Sequence, residues 1–334
     1  MSGLDRELMI VGAGPAGLAT AIAASQAALD YELLEKGVLV NSIFHFPRHM
    51  TFFTTPELLE IGGLPFVTPY EKPTQLEALR YYRRVADTYQ LRMRLGCELL
   101  AITPRQAGLE LRVRGLGGES LELARCVVLA TGYYDHPNRL GVPGEDLPHV
   151  SHYYDDPHAC YRKQVVVVGG KNSAAIAALE LYRAGAGVTL VHRQAGLSDS
   201  VKYWIKPDIE NRIREGSIQA RFSTRLLEVR EDRVLVEGDA GRGEIPAQAV
   251  FLLTGYRPDV ELLRGAGVRV HPQSLKPEHD PASFETNVPG LYVAGAVVSG
   301  RETNRIFIEN GRFHGEAIVA AVRKRLAAGG GPLA

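Results

Sequence analysis

The sequence predicts an α/β protein of two Rossmann-like dinucleotide-binding domains, each carrying a small antiparallel β-meander. Three observations lead there. A strand, a glycine turn and a helix are written twice, as LMIVGAGPAGLATAIAA from Leu8 and as VVVVGGKNSAAIAALEL over residues 165–181. The order that follows each (a second strand, a meander, an apolar strand running into T-G) also occurs twice, and this internal repeat weighs more than either glycine motif alone. Finally, 334 residues suffice for two sizeable cores, and 35 glycines suit a fold with many tight turns.

In the first unit, residues 7–11 are a short apolar run, as a buried parallel strand requires. Gly12, Gly14 and Gly17 follow as G-x-G-x-x-G, and residues 18–28 are an alanine-rich helix. The glycines permit a tight turn, close approach of the backbone to a pyrophosphate, and close helix–strand packing; the helix start adds N–H donors and a positive dipole end. Residues 31–34 form the second strand. It ends in Glu35, 18 residues after Gly17, where an acid takes ribose hydroxyls, although a solvated strand end carries such an acid too. Residues 37–73 are loop-rich but too apolar for a linker. We read them as wrapping a flat ring system, with Ser42, Thr54 and Thr55 as polar contacts; equally, Phe44, Phe46, Phe52 and Phe53 are core and the hydroxyls cap helices. Residues 73–89 read as a helix capped by Thr74, with Arg80, Arg83 and Arg84 on a solvated face. Residues 98–124 alternate in three short strands and run into VVLATGYYDHP.

The second unit repeats this plan. Residues 165–169 are the strand, the helix starts at Asn172, and residues 188–191 are the next strand. That strand ends in His192-Arg193 instead of an acid, and a basic pair meets a 2′-phosphate, so NADPH is favoured over NADH; the alternative is two exposed basic residues. Gly169 and Gly170 open the turn, Lys171 stands where the motif's second glycine would be, and Ala174 takes the third. A side chain at 171 limits backbone approach, or its ammonium reaches a phosphate, while Asn172 and Ser173 can cap the helix. Residues 225–246 form the second meander, ending in VFLLTGYRPD with Thr254 and Gly255. Residues 286–300 read as a turn, a strand and a glycine-rich loop, and residues 306–322 as a closing helix. Residues 270–285, rich in proline and polar residues, suit a crossover. The expected division is therefore 1–145 plus 280–330 for the first domain, with 146–279 inserted as the second.

Composition narrows the function. Lys+Arg and Asp+Glu both number 38, so net charge gives no reason to expect nucleic acid or a membrane surface. There is no apolar run of 18 residues for a transmembrane helix. Residues 1–7 are polar and lead directly into a strand, leaving no room for a signal peptide, and the tail AAGGGPLA is expected to be disordered. Cys97, Cys126 and Cys160 form no C-x-x-C, an odd and widely spaced set that suits a reduced, cytoplasmic protein; Cys126 lies in an apolar strand and is expected to be inert. No metal site is expected.

Further motifs carry a resemblance. A-T-G at 130–132, T-G-Y-R-P-D at 254–259 and T-N-V-P-G-L-Y-V-A-G at 286–295 resemble the two-domain flavoprotein disulfide reductases of thioredoxin reductase type. The resemblance covers nearly the whole chain. It implies FAD in the first domain, held by Gly12, Gly14, Pro15, Ala16, Gly17, Glu35, Lys36, Ser42, Thr131, Gly132, Gly295, Ala296, Arg305 and Ile306. It implies NADPH in the second, held by Gly169, Gly170, Lys171, Asn172, Ser173, Ala174, His192, Arg193, Thr254 and Gly255. Many relatives carry an aspartate where Ala296 stands, so backbone N–H groups would have to serve there. The reductases' C-x-x-C is replaced by Tyr153-Tyr154-Asp155-Asp156, with Cys160 alone four residues on, so no internal disulfide forms.

H-Y-Y at 152–154, V-V-V-V-G-G-K-N-S-A-A at 165–175, F-F-T-T-P-E-L-L-E-I-G-G and T-N-R-I-F-I-E-N-G-R-F-H-G at 303–315 resemble a narrower group, the bacillithiol disulfide reductase family. This implies an FAD enzyme that uses NADPH to reduce a low-molecular-weight disulfide, as a homodimer or larger homo-oligomer. Family members proposed to act on the disulfide carry cysteine as G-P-C-G, whereas this chain reads Gly14-Pro15-Ala16-Gly17. Exchange passes through a mixed disulfide, which alanine cannot form. No catalytic residue is assigned. Glu309, Asn310 and Arg312 are expected near the flavin's pyrimidine end, or as surface caps and ion pairs; His152, Tyr153 and Tyr154 as cover for a ring or as a hinge; and His314 as a proton shuttle or a structural histidine. Two other readings stand beside the disulfide reductase: electron transfer to a ferredoxin- or flavodoxin-like protein, and a flavoprotein sensor that binds NADPH without turnover.

Overall fold

The computed structural model describes residues 6–239 and 241–329; the start of the chain through Asp5 and the last five residues of the tail expected to be disordered lie outside them. Two compact units emerge, residues 1–136 with 256–334 and residues 137–255.

In the first unit β1 (Arg6–Val11) lies between β2 (Tyr31–Glu35) and β6 (Gly118–Leu129), parallel to both, with Leu8 opposite Tyr31 on one side and Cys126 on the other. This central position explains its unbroken apolar run: Leu8, Met9 and Ile10 have no exposed surface. α1 (Pro15–Gln26) follows the glycine turn, with Pro15 at its start. α2 (Asn41–Phe44) and α3 (Pro56–Leu59) are single turns, and α4 (Gln75–Thr88) begins with the expected Thr74 cap, closed into a capping box by Glu77. β3 (Met93–Leu95), β4 (Glu98–Arg105) and β5 (Gly108–Gly115) complete the order β3-β2-β1-β6-β5-β4. The meander is not separate. β6 pairs antiparallel with β5 as far as Ala124, then parallel with β1 from Ala124 to Leu129, so one strand carries the chain from meander into parallel sheet.

In the second unit β7 (Val150–Ser151), β8 (Gln164–Val168), β9 (Gly187–Val191), β10 (Gln219–Arg221) and β14 (Ala249–Leu252) form a parallel sheet in the order β10-β9-β8-β14-β7. α5 (Asn172–Arg183) and α6 (Lys206–Arg214) accompany it. β11 (Arg225–Val229), β12 (Arg233–Gly238) and β13 (Gly241–Pro246) make a separate meander. Pro246 has no N–H to carry the ladder forward, so the chain breaks before β14 where the first unit runs straight on.

The joints fall at 136/137 and 255/256, where the sequence placed them at 145/146 and 279/280. Residues 137–145 belong to the second unit because Gly144 lies against Val229, a Cβ there standing 1.9 Å from the Val229 carbonyl oxygen, and Val142 packs on the core that includes Val229 and Val234. Residues after 255 belong to the first unit. There α7 (Val260–Gly265) and the turn after it place Leu263, Ala266 and Val268 in the core that holds Leu109, Leu111 and Val127.

β15 (Leu291–Val293) adds to β6, and a 3₁₀ turn (Gly295–Ser299) follows. The closing helix expected over 306–322 is two helices, α8 (Ile308–Gly311) and α9 (His314–Ala327), parted at Arg312-Phe313. The Arg312 guanidinium donates to the Glu57 and Glu60 carbonyls at α3, which fixes the chain at the break. No helix among the described residues is long and apolar enough to cross a membrane.

α9 lies directly on α1. A Cβ on Gly315 would stand 2.7 Å from both N and Cα of Thr20, so Gly315→Ala must part the two helices, whereas a Cβ on Gly265 meets no described atom within 4 Å. We expect Gly315→Ala to lose about 1–3 kcal/mol in urea denaturation and Gly265→Ala to stay within about 1 kcal/mol of the parent. Equal effects would show that the α1–α9 approach does not limit stability.

Candidate functional site

In the first unit the three motif glycines divide their roles. A Cβ on Gly12 (φ +104°) would stand 2.5 Å from the Ala130 carbonyl oxygen, and one on Gly17 would stand 1.8 Å from that of Gly12. These two let the start of α1 press onto the ends of β1 and β6. Gly14 is different: no described atom lies within 4 Å of its Cβ position. Gly14 is also the N-cap of α1, and no side-chain bond caps the helix among the described residues. Open space before an uncapped helix start is what a pyrophosphate needs, so this turn fits FAD. Gly132 (φ +66°) faces open space as well, next to Thr131, whose Cα lies close to the Gly12 position.

Glu35 is buried at the end of β2. One carboxylate oxygen accepts from Ala13 N at 2.8 Å, the other from Gly37 N at 2.9 Å. Burial raises its pKa, and the two N–H donors pull against that. Val40, buried and left-handed at φ 49°, donates its N–H to the Ala13 carbonyl at 3.1 Å and starts α2, which carries Ser42. A β-branched residue in that region is strained, and here the strain sits against the glycine turn. Lys36 is ion-paired with Asp135 at 2.9 Å.

The third wall comes from the end of the unit. A Cβ on Gly295 (φ +70°) would stand 2.7 Å from Ala16 Cβ, so the Gly295-Ala296 turn rests on the first turn of α1. The Ala296 carbonyl accepts from Ser299 Oγ at 2.8 Å. Ile306 and Gly311 lie against each other, and Gly311 approaches Gly295 as well. Arg305 is ion-paired with Glu302, while its carbonyl accepts from Asn310 Nδ2, and Asn310 Oδ1 accepts from Phe307 N. Asn310 and Arg312 thus hold backbone in place. His314 is buried, and its Nδ1 accepts the Gly295 N–H at 3.1 Å, which puts the ring's proton on Nε2. Burial, aided by His279, pushes its pKa down to about 4.

In the second unit Gly169 repeats Gly12: a Cβ there would stand 2.6 Å from the Leu253 carbonyl oxygen, and 2.8 Å from Ala174 Cβ. The His192 ring lies over Gly170, its Nε2 2.3 Å from that glycine's Cβ position. Burial and the adjacent Arg193 hold its pKa below the usual histidine value, so the basic pair carries one charge at neutral pH, on exposed Arg193. Lys171 is the N-cap of α5, in extended backbone. Asn172 does not cap the helix as expected. Its amide accepts from Lys202 N at 2.9 Å and donates to the Ser200 carbonyl at 3.1 Å, which ties the 198–202 loop to α5; Ser173 follows within the first turn. Thr254 Oγ1 donates to the Asn138 carbonyl at 2.6 Å, and the Gly255 carbonyl accepts from Asn138 N. Tyr154 is buried against Phe251, and His152 faces buried Glu145 at 3.3 Å, so both are packed into this unit.

Cys97, Cys126 and Cys160 are free and buried. Burial raises all three thiols, Cys126 to about 11, so none is poised as a thiolate. Sequence reasoning missed Phe284, whose ring stacks on His314 at 4.1 Å, and the cluster of Tyr134 with Tyr256 (4.7 Å) and Phe46 (5.0 Å); a tyrosine after T-G in both repeats was the available signal.

Two dinucleotide turns, one ending in a buried acid and one in an exposed arginine, define a two-nucleotide redox protein. The model for the pyridine nucleotide-disulphide oxidoreductases matches residues 9–295, and the chain belongs to that family. It is an oxidoreductase with FAD and NADPH as its cofactors. Within that family it belongs to the bacillithiol disulfide reductases. It is 41% identical over 323 residues to the bacilliredoxin reductase Bdr of Bacillus subtilis, spanning 96% of this chain and 99% of that one. Two solved structures of bacillithiol disulfide reductase Bdr (YpdA) match as well. That of Bacillus cereus has a TM-score of 0.94 at 38% identity, over 96% of this chain and 99% of its own. That of Staphylococcus aureus has 0.91 at 36%, over 98% and 99%.

His314 carries a pH signature. Unfolded, its imidazole takes a proton near 6.5; folded, only near 4. Its contribution is complete above 6.5 and is lost as the pH falls towards 4. Glu35, raised in the fold, has the opposite sign. We expect unfolding free energy to drop by about 2 kcal/mol more between pH 7 and pH 5 in the parent than in His314→Asn. Equal slopes in urea titrations would show that His314 is not buried neutral.

Proposed function

We propose that this chain passes electrons from NADPH through FAD to its acceptor without an enzyme thiol. The observation that carries this reading is Ala16. It occupies the first turn of α1 where the family cysteine would stand, and the three cysteines present are buried with raised thiols. When bound, FAD supplies the two-electron relay between nicotinamide and acceptor. The chain's own residues bind and orient. Gly14, Pro15, Ala16 and Gly17 present the start of α1 to the pyrophosphate, and Glu35 takes ribose hydroxyls with the oxygen capacity that Ala13 and Gly37 leave. In the second unit Lys171 and Asn172 open α5 towards the NADPH phosphates, and Arg193 meets the 2′-phosphate.

The relatives are named for bacillithiol disulfide and for bacilliredoxin. A low-molecular-weight disulfide is the first acceptor to test; NADPH and one proton reduce it to two thiols. The same alanine supports a second reading, transfer to a ferredoxin- or flavodoxin-like protein, which needs no thiol either. Three free, buried cysteines suit a cytoplasmic, reducing setting, and we propose a homo-oligomer.

Under anaerobic conditions we expect NADPH to bleach the flavin band, and bacillithiol disulfide to restore it at a rate that alkylation by iodoacetamide leaves unchanged. An unbleached flavin would sink the reductase reading. Loss of reoxidation on alkylation would sink the thiol-free route, and bleaching without reoxidation would favour the protein acceptor. Arg193→Ala should raise KM for NADPH roughly tenfold with kcat and the KM for NADH nearly unchanged. Steady-state kinetics with both nucleotides check it, and a parallel loss with NADH would move the 2′-phosphate contact elsewhere.

A further inference from the structure

One network runs from an exposed turn at Asp280 through half-buried Phe284 to buried His314. Asp280 accepts from Ala282 N, Ser283 N and Ser283 Oγ, and its carbonyl accepts from Phe284 N at 2.8 Å. This turn forces Phe284 into left-handed backbone at φ 61°. An aromatic residue is strained there, and such strain persists only where the surroundings impose it. The Phe284 ring stacks on the His314 ring at 4.1 Å and 21°, and the His279 ring stacks on Phe284 at 5.9 Å and 11°. Held this way, His314 offers the Nδ1 lone pair to the Gly295 N–H. Gly295 in turn lies on Ala16, with no room for a Cβ between them.

We propose that His314 is a positioning residue of the flavin pocket: by accepting the Gly295 N–H it fixes the Gly295-Ala296 turn against the first turn of α1, and Phe284 orients its ring to do so. Three features support this. The bond is buried, so without its acceptor the Gly295 N–H would be left unpaired or would turn towards water. The acceptor stands at the start of α9, the helix that lies on α1, so both sides of the contact belong to one packed body. And Ala296 brings no carboxylate of its own to hold the turn. The inference rests on the reading that FAD occupies this turn.

The test compares two variants with the parent. His314→Phe keeps a ring for Phe284 but has no acceptor; His314→Asn places an oxygen where Nδ1 stood. FAD is stripped from each and titrated back, with dissociation constant, flavin absorbance maximum, flavin midpoint potential and apoprotein Tm recorded. We expect His314→Phe to weaken FAD about tenfold or more and to move the absorbance maximum and potential, and His314→Asn to stay within about threefold of the parent. Phe284→Leu should weaken FAD in the same direction. Unchanged FAD affinity and spectrum in a folded His314→Phe would overturn the inference. So would equal losses in both variants that follow apoprotein Tm, since His314 would then only support α9. Failure of parent apoprotein to bind FAD would overturn the cofactor assignment and this inference with it, an outcome distinct from a parent that binds and a variant that binds equally well.

Discussion

A helix start pressed onto the end of a strand is the contact on which both units depend. In the first, Gly17 lies against the Gly12 carbonyl and Gly12 against that of Ala130, so α1, β1 and β6 converge on one backbone-to-backbone junction. In the second, Gly169 lies against the Leu253 carbonyl in the same way, but Ala174 takes the place of Gly17, and its methyl sits at the junction. A glycine in an element costs conformational entropy, and the compensation here is geometric: the helix start reaches the open space over the strand ends. The rest of the first unit follows from that junction. β2 must end close enough for Glu35 to bond Ala13, and β15 must deliver Gly295 onto Ala16.

The two units use one plan and reverse its chemistry at one position. After the second strand the first unit carries Glu35, buried and satisfied by two N–H groups; the second carries His192-Arg193. An acid there can share hydrogen bonds with ribose hydroxyls and repels a 2′-phosphate, whereas a cation attracts one. His192, kept neutral by burial over Gly170, adds shape instead of charge. On the proposed reading the 2′-phosphate contact falls on Arg193, which is exposed and subject to screening by salt.

Much of this was legible in the sequence because it rests on local patterns of short period. Apolar runs gave β1 and β8, Thr74 gave the start of α4, and the repeated glycine turns gave the strand, turn and helix that open each unit. What escaped depends on contacts between distant residues. The break between α8 and α9 follows from Arg312 reaching carbonyls some 250 positions earlier, which no helical period reveals. The joints between units moved because Gly144 meets Val229 and Leu263 joins the core of Val127. The ion pair of Lys36 with Asp135 likewise joins residues far apart in the chain. His314 presented itself as a lone histidine, since neither Phe284 nor Gly295 is near it in the chain.

The position of Ala16 has its own physical logic. A cysteine in the first turn of a helix faces the positive end of the dipole, and its thiol is pulled towards the thiolate that attacks disulfides. This chain retains the helix start and the contact with Gly295, but has a methyl group where that thiolate would form. Its own cysteines lie in the opposite kind of environment, where burial holds the proton on sulfur. The residues that build this helix start and its contact with Gly295, and the residue that would make it a thiol-exchange site, are thus separable. A chain can keep the first set intact and lose the second, and an acceptor then has to approach the reduced cofactor itself or bring its own reactive sulfur.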